Sequence, residues 1–193
     1  MNKCILILAL STVSPALWAA DDQGDFSIRG AGLVDCKAYV KERAEKSPAY
    51  LMMGGWIDGY LTATNQYRQQ TYDIAPYQTT ELLTRIIDNH CQQNPDDRLF
   101  SVVNTIVAKL LPNRIIEGQK RVQISVGDRT TTLYPDTIRK LQSRLIEAGL
   151  MKGSTTGEYD PATKAAVQAY QESIDFTPTG FPDQATLWRL LTD

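Results

Sequence analysis

Apolar residues recur three and four positions apart in seven stretches of the chain, and each stretch predicts a helix. The first runs from Leu33 to Glu45. Pro48 opens the second, which continues to about Gln70 with Met53, Trp56, Ile57, Tyr60, Leu61 and Tyr67 at helical spacing, a stripe that reads as core packing. Gly55 and Gly59, four apart, leave one face of this helix bare, so another helix is expected to approach it closely. After a loop from Thr71 to Gln78, Thr79 is the expected N-cap of a third helix through Cys91, carrying Leu82, Leu83, Ile86 and Ile87. Asn94-Pro95 breaks it, and Asp96 or Asp97 is expected to cap a fourth with Leu99, Val102, Val103, Ile106, Val107 and Leu110, ended by Pro112. The period then changes to two: Val122, Ile124 and Val126 alternate with Gln123 and Ser125, Gly127-Asp128 fits a two-residue turn, and Thr130 to Leu133 returns as the second strand of a hairpin.

The last third restores the helical period. Ile138, Leu141, Leu145 and Ala148 share one face, with Gly149 as the expected C-terminal stop. One phrase, G-x-x-D-x-A-T, then occurs twice, as Gly157 to Thr163 and Gly180 to Thr186. In each copy Gly supplies a turn and Asp caps the helix that follows; in the first, Pro161 stands at the first helical position, where its fixed φ suits a helix start. The following helices carry Ala166, Val167, Tyr170 and Ile174, then Leu187, Trp188, Leu190 and Leu191.

The run Ile138-x-x-Leu141-Gln142-x-x-Leu145-x-x-Ala148-Gly149-Leu150 resembles the opening of the peptidoglycan-binding domain of bacterial wall hydrolases. The likeness continues through Gly157, Asp160, Thr163-x-x-Ala166-Val167-x-x-Tyr170-Gln171 and Thr179-Gly180-x-x-Asp183-x-x-Thr186-Leu187, so that it spans nearly all of residues 136–191. Ser173-Ile174-Asp175-Phe176 departs from the pattern, since the family more often has a Gly before the apolar residue. The resemblance implies a three-helix bundle that attaches non-covalently to peptidoglycan.

Composition adds a compartment. Net charge is −2, with no more than two basic residues adjacent, so no nucleic-acid partner is indicated. Lys3, the apolar run from Cys4 and the small residues Ala19-Ala20 read as a secretory signal over residues 1–20, and no later stretch is apolar and long enough for a membrane span. With Cys4 leaving in the signal, Cys36 and Cys91 form an even pair in an exported chain, most simply a disulfide. Closing a loop of 55 positions stabilises by roughly 4 kcal/mol in the chain-entropy picture. The expected architecture is therefore mainly α: signal peptide 1–20, a disulfide-stapled four-helix unit 33–111, a β-hairpin linker 112–133 and a peptidoglycan-binding bundle 134–193. The paired Cys, Gly55-Trp56-x-x-Gly59-Tyr60 and Cys91-x-x-Asn94-Pro95 give the first unit a resemblance to small periplasmic proteins, the HdeA-type acid-stress chaperones and the Rap1a/Tai immunity proteins. That likeness implies a periplasmic protein partner for this unit.

Catalytic readings find little support in the residues. A zinc amidase needs about three protein ligands, and His90 is the chain's one histidine, so neither a metal nor another cofactor is expected. A Cys or Ser nucleophile would have to share that His90, with no G-x-S-x-G elbow present. A muramidase needs only carboxylates; Glu42, Glu45, Asp58 and Glu81 are the candidates, with Asp58 set among Trp56, Ile57 and Tyr60. The preferred reading is a non-catalytic peptidoglycan binder whose helical unit engages a protein. A periplasmic acid-stress chaperone, an immunity protein against a wall-degrading toxin and a weak muramidase are the alternatives. For the wall ligand, Tyr159, Tyr170, Gln171, Thr179 and Phe181 are the side chains expected near a groove, with Tyr159 and Phe181 at exposed turn positions and Tyr170 on the core face.

Overall fold

The computed structural model describes residue 21 and residues 23–192; the proposed signal peptide, residues 1–20, lies outside the described residues. The described residues form seven α-helices and one antiparallel hairpin: α1 Cys36–Ala44, α2 Pro48–Tyr67, α3 Thr80–Cys91, α4 Leu99–Leu110, β1 Val122–Val126, β2 Arg129–Leu133, α5 Pro135–Glu147, α6 Pro161–Ser173 and α7 Gln184–Thr192. The mainly helical architecture and the Cys36–Cys91 disulfide agree with the sequence reading.

Local chemistry sets the boundaries. Asp35 accepts from Ala38 N at 2.7 Å, so α1 begins at Cys36, behind a 3₁₀ turn at Gly30–Leu33, instead of at Leu33. Ser47 caps α2 ahead of Pro48, and Thr79 caps α3 by accepting from Leu82 N. The cap expected at Asp96 or Asp97 is not made: α4 starts after Arg98 with no side-chain cap, and Asp97 instead meets His90 at 2.7 Å. Val126 pairs with Arg129 across the Gly127-Asp128 turn, where Gly127 takes φ +57°.

Two apolar clusters result. The first joins the faces of α1 to α4 around Cys36, Tyr39, Ile57, Ile87, Leu99 and Leu110. The second joins Ile124 and Leu133 of the hairpin to Ile138, Leu141 and Leu145 of α5, Val167 of α6 and Leu187 of α7. Each cluster borrows one aromatic from the other half of the chain: Tyr77 is buried in the second, and Trp188 of α7 packs against the first. Polar contacts reinforce the exchange. Gln184 at the start of α7 accepts from Thr79 N at 3.0 Å and donates to Tyr77 O at 2.6 Å. Asn113 donates to Leu191 O at 3.1 Å. Asp73 receives both Arg121 and the Tyr134 hydroxyl at 3.1 Å, with the Arg121 guanidinium 4.0 Å from the Tyr134 ring centre.

The bare face of α2 is not covered. A Cβ on Gly55 or Gly59 would meet nothing within 4 Å, and Leu51, Met52 and Tyr67 stand well exposed beside it. Met53, Ile57 and Leu61 are the buried positions of α2, with Trp56 and Tyr60 packed half-buried against the same cluster.

Candidate functional site

The two turn phrases are each held by a buried glutamine one helix earlier. Gln142 of α5, fully buried, accepts from Gly157 N at 3.0 Å and donates to Glu158 O at 2.9 Å and to Thr163 Oγ1 at 3.0 Å. Gln171 of α6, also buried, accepts from Gly180 N at 2.8 Å and donates to Phe181 O at 2.9 Å and Thr186 Oγ1 at 3.0 Å. A primary amide suits this task because its oxygen and nitrogen satisfy a turn's N–H and C=O together. The phrase is thus one residue longer than its G-x-x-D start suggests: Thr156 and Thr179 precede the glycines, and each hydroxyl accepts the N–H two residues on.

Both glycines are required. Gly157 has φ +80°, with Pro135 O 3.1 Å from where a Cβ would stand; Gly180 has φ +66°, with Lys164 Cγ and Gln168 Cγ at 2.8 Å. Asp160 accepts from the Thr163 hydroxyl and N–H, both at 2.7 Å, and these bonds hold its carboxyl below the usual range. Asp183 makes the same cap to Thr186 N at 2.8 Å.

The second copy opens a shallow groove of about 680 Å³. Its sides are Thr177 and Thr179 before the turn, Asp183 and Gln184 at the start of α7, Arg129 from β2 and Arg85 from α3. Arg129 lies 4.1 Å over the Phe181 ring and 3.7 Å from Asp183. Two guanidiniums, two carboxylates with Asp175, hydroxyls and an amide therefore face one opening. This set can pair carboxylates, ammonium groups and amides along a peptide or an amide-bearing glycan.

The five residues expected at a ligand face occupy different roles. Thr179 lines the groove. Phe181 is buried, 6 % exposed, not outward as its turn position suggested, and serves as the floor under Arg129. Gln171 is committed to the turn. Tyr159 is half-buried and donates to Gly180 O at 2.8 Å, tying the first copy to the second, and burial pushes its hydroxyl pKa up. Tyr170 packs at the edge of the second core. Sequence reasoning missed Gln142, Arg129, Arg85 and Gln184 as site residues; Gln142 had a visible signal, since it follows a core residue ahead of the first repeat as Gln171 does ahead of the second, whereas the arginines arrive from elements distant in sequence.

Of the carboxylates considered for hydrolysis, Asp58 and Glu81 line one shallow pocket of about 320 Å³ between α2 and α3, which Glu42 and Glu45 do not line. Asp58 lies on the exposed face of α2 and accepts the Thr80 hydroxyl at 2.9 Å, while Glu81 pairs with Arg43 and Arg85. Among the described residues no three His, Cys, Asp or Glu side chains are placed to hold a metal, and no helix is long and apolar enough to cross a membrane.

Residues 135–190 match the family model described as "Putative peptidoglycan binding domain", which takes in α5, α6, both turn phrases and most of α7. No curated protein and no solved structure matches the chain.

Proposed function

We propose that the protein is a non-catalytic, exported wall-binding factor. Its C-terminal bundle, residues 134–193, attaches it to peptidoglycan, and its helical unit, residues 33–111, is held outward to engage a protein in the periplasm. The observation that carries the wall-binding reading is the groove at the second turn, where Asp183, Thr179 and Gln184 of the matched region and Arg129 from the hairpin before it offer charge and hydrogen bonds of both signs. Peptidoglycan presents the complement: sugar hydroxyls, amides, stem-peptide carboxylates and free amines. Modest affinity at one groove suffices on a polymer of repeated sites. Export is supported by the leader pattern and by the disulfide, which persists in oxidising compartments. A protein-binding role for the helical unit is supported by exposed Leu51 and Met52 beside the bare glycine face of α2.

The test is co-sedimentation of the purified full chain with insoluble sacculi, with soluble stem-peptide fragments as competitor. Pelleting that competitor reverses is the expected result. A full chain that stays in the supernatant overturns the reading.

A further inference from the structure

A second cavity, of about 180 Å³, lies where α3 and α4 meet Trp188 of α7. It is smaller than the roughly 300–1,000 Å³ of common small-molecule pockets, so it takes a single ring or side chain. Its floor is apolar, from Ile86, Val102 and Ile106. One wall is polar: Ser101, Thr105 and Lys109 follow one another four residues apart along α4 and so share a face. Thr105 donates its hydroxyl hydrogen to Ser101 O at 2.9 Å, which leaves its oxygen to accept. At the end His90 Nε2 meets Asp97 at 2.7 Å; the carboxylate can only accept, so Nε2 carries the hydrogen. Trp188 closes the cavity, and it comes from the matched wall-binding region.

This cavity and the groove lie on one seam. Arg85 and Ile86, adjacent on α3, line one each, and Ala185 and Trp188, one turn apart on α7, do the same. We propose that the cavity is a composite subsite for one N-acetylated pyranose ring of a glycan strand that continues into the groove. The inference rests on the wall-binding reading above and names the part of the ligand recognised by the joined units. A pyranose presents an apolar C–H face and equatorial hydroxyls. The face stacks on the Trp188 indole, the hydroxyls meet Ser101, Thr105 and the His90–Asp97 pair, and the acetamido methyl fills the aliphatic floor. Lys109, which has no ion pair among the described residues, stands at the rim for a carboxylate of the neighbouring unit. The site exists only while α7 is docked on the helical unit, so it couples glycan binding to that docking.

The probe is a tetrasaccharide of β-1,4-linked N-acetylglucosamine, titrated into the full chain while the Trp188 indole N–H and the α4 amides are followed by NMR. Saturable shifts at Trp188, Thr105 and Ile106 are expected, with much smaller shifts from the matching glucose tetrasaccharide. Thr105→Trp replaces an exposed residue and fills the cavity without opening the core. It should abolish the Trp188 response and weaken sacculus binding about tenfold through lost avidity. Trp188→Phe, which keeps the core contact, should retain binding more weakly. Equal shifts from the glucose tetrasaccharide overturn the acetamido assignment. If the unaltered chain pellets with sacculi while the sugar leaves Trp188 unmoved and Thr105→Trp pellets as well, the subsite is overturned and the wall-binding reading stands. Failure of the unaltered chain to pellet overturns that reading itself.

Discussion

The two turn phrases share a skeleton and differ in what their variable positions do. Gly, Asp and Thr occupy equivalent places, and Gln142 and Gln171 clamp them with nearly the same bonds. One residue after the glycine the first copy has exposed Glu158, and the second has buried Phe181 under Arg129. Two residues after it, Tyr159 reaches across to Gly180, while Pro182 is buried. Four residues after it, Pro161 presets the start of α6, while Gln184 clasps Thr79 and Tyr77 of the helical unit. The variable positions of the first copy serve the bundle itself, through Tyr159 and Pro161, whereas those of the second reach Arg129 of the hairpin and the helical unit. A repeat of this kind fixes a fold with its shared positions and leaves its unshared positions free to make a site.

The comparison can be broken hardest at the clamps. Gln142→Leu and Gln171→Leu each orphan a buried turn N–H and C=O, so each should destabilise by roughly 3 kcal/mol in chemical denaturation. The two values should be similar, since the bonds are alike; a near-neutral result for either would remove the shared-skeleton claim. At the glycines, Gly180→Ala should cost more than Gly157→Ala. Both lose a left-handed conformation worth about 1–2 kcal/mol, but only Gly180 has side-chain carbons within 3 Å of the added methyl.

At the caps, Asp160→Ala should cost about 1 kcal/mol. Because Thr163 holds the Asp160 carboxyl below its ordinary range, its contribution is complete above the unfolded pKa and is lost as pH falls through the lowered folded value. Asp160→Asn keeps a cap with no titrating group and should flatten that part of the acid limb in a pH-dependent melt. The smallest effect is expected where α6 ends. There Asp175 sits at φ +58° in the place of a helix-ending glycine, with Phe176 N bonded to Gln171 O at 2.8 Å. Asp175→Gly should raise stability by about 0.5–1 kcal/mol. The equivalent end of α5 already has Gly149, at φ +73°.

That last pair shows where the sequence was legible. The helices, the hairpin turn and the caps at Thr79, Asp160 and Asp183 follow from local chemistry that a few neighbouring residues decide. Gly149 announces its stop, and the missing glycine at Asp175 marks a departure whose structural answer is a left-handed Asp. Where sequence reading stopped, the deciding partner was remote. Asp97 could not be known to leave its cap for His90. Phe181 read as an exposed turn aromatic because Arg129, some fifty positions earlier, was not known to cover it. The bare face of α2 was expected to receive a helix, yet no described helix covers it. Trp188 read as bundle core but faces the other unit, a matter of docking that periodicity within one helix does not carry.

The most direct test of the account sets the second copy against the first in the intact protein. Co-sedimentation with sacculi would be measured for the unaltered chain, for an Arg85→Ala/Arg129→Ala variant at the groove and for Glu158→Ala at the first turn. The account predicts that the double variant loses at least tenfold in binding with its melting temperature nearly unchanged, while Glu158→Ala binds as the unaltered chain does. Loss at Glu158→Ala, or full retention in the double variant, would contradict the assignment of wall binding to the second copy.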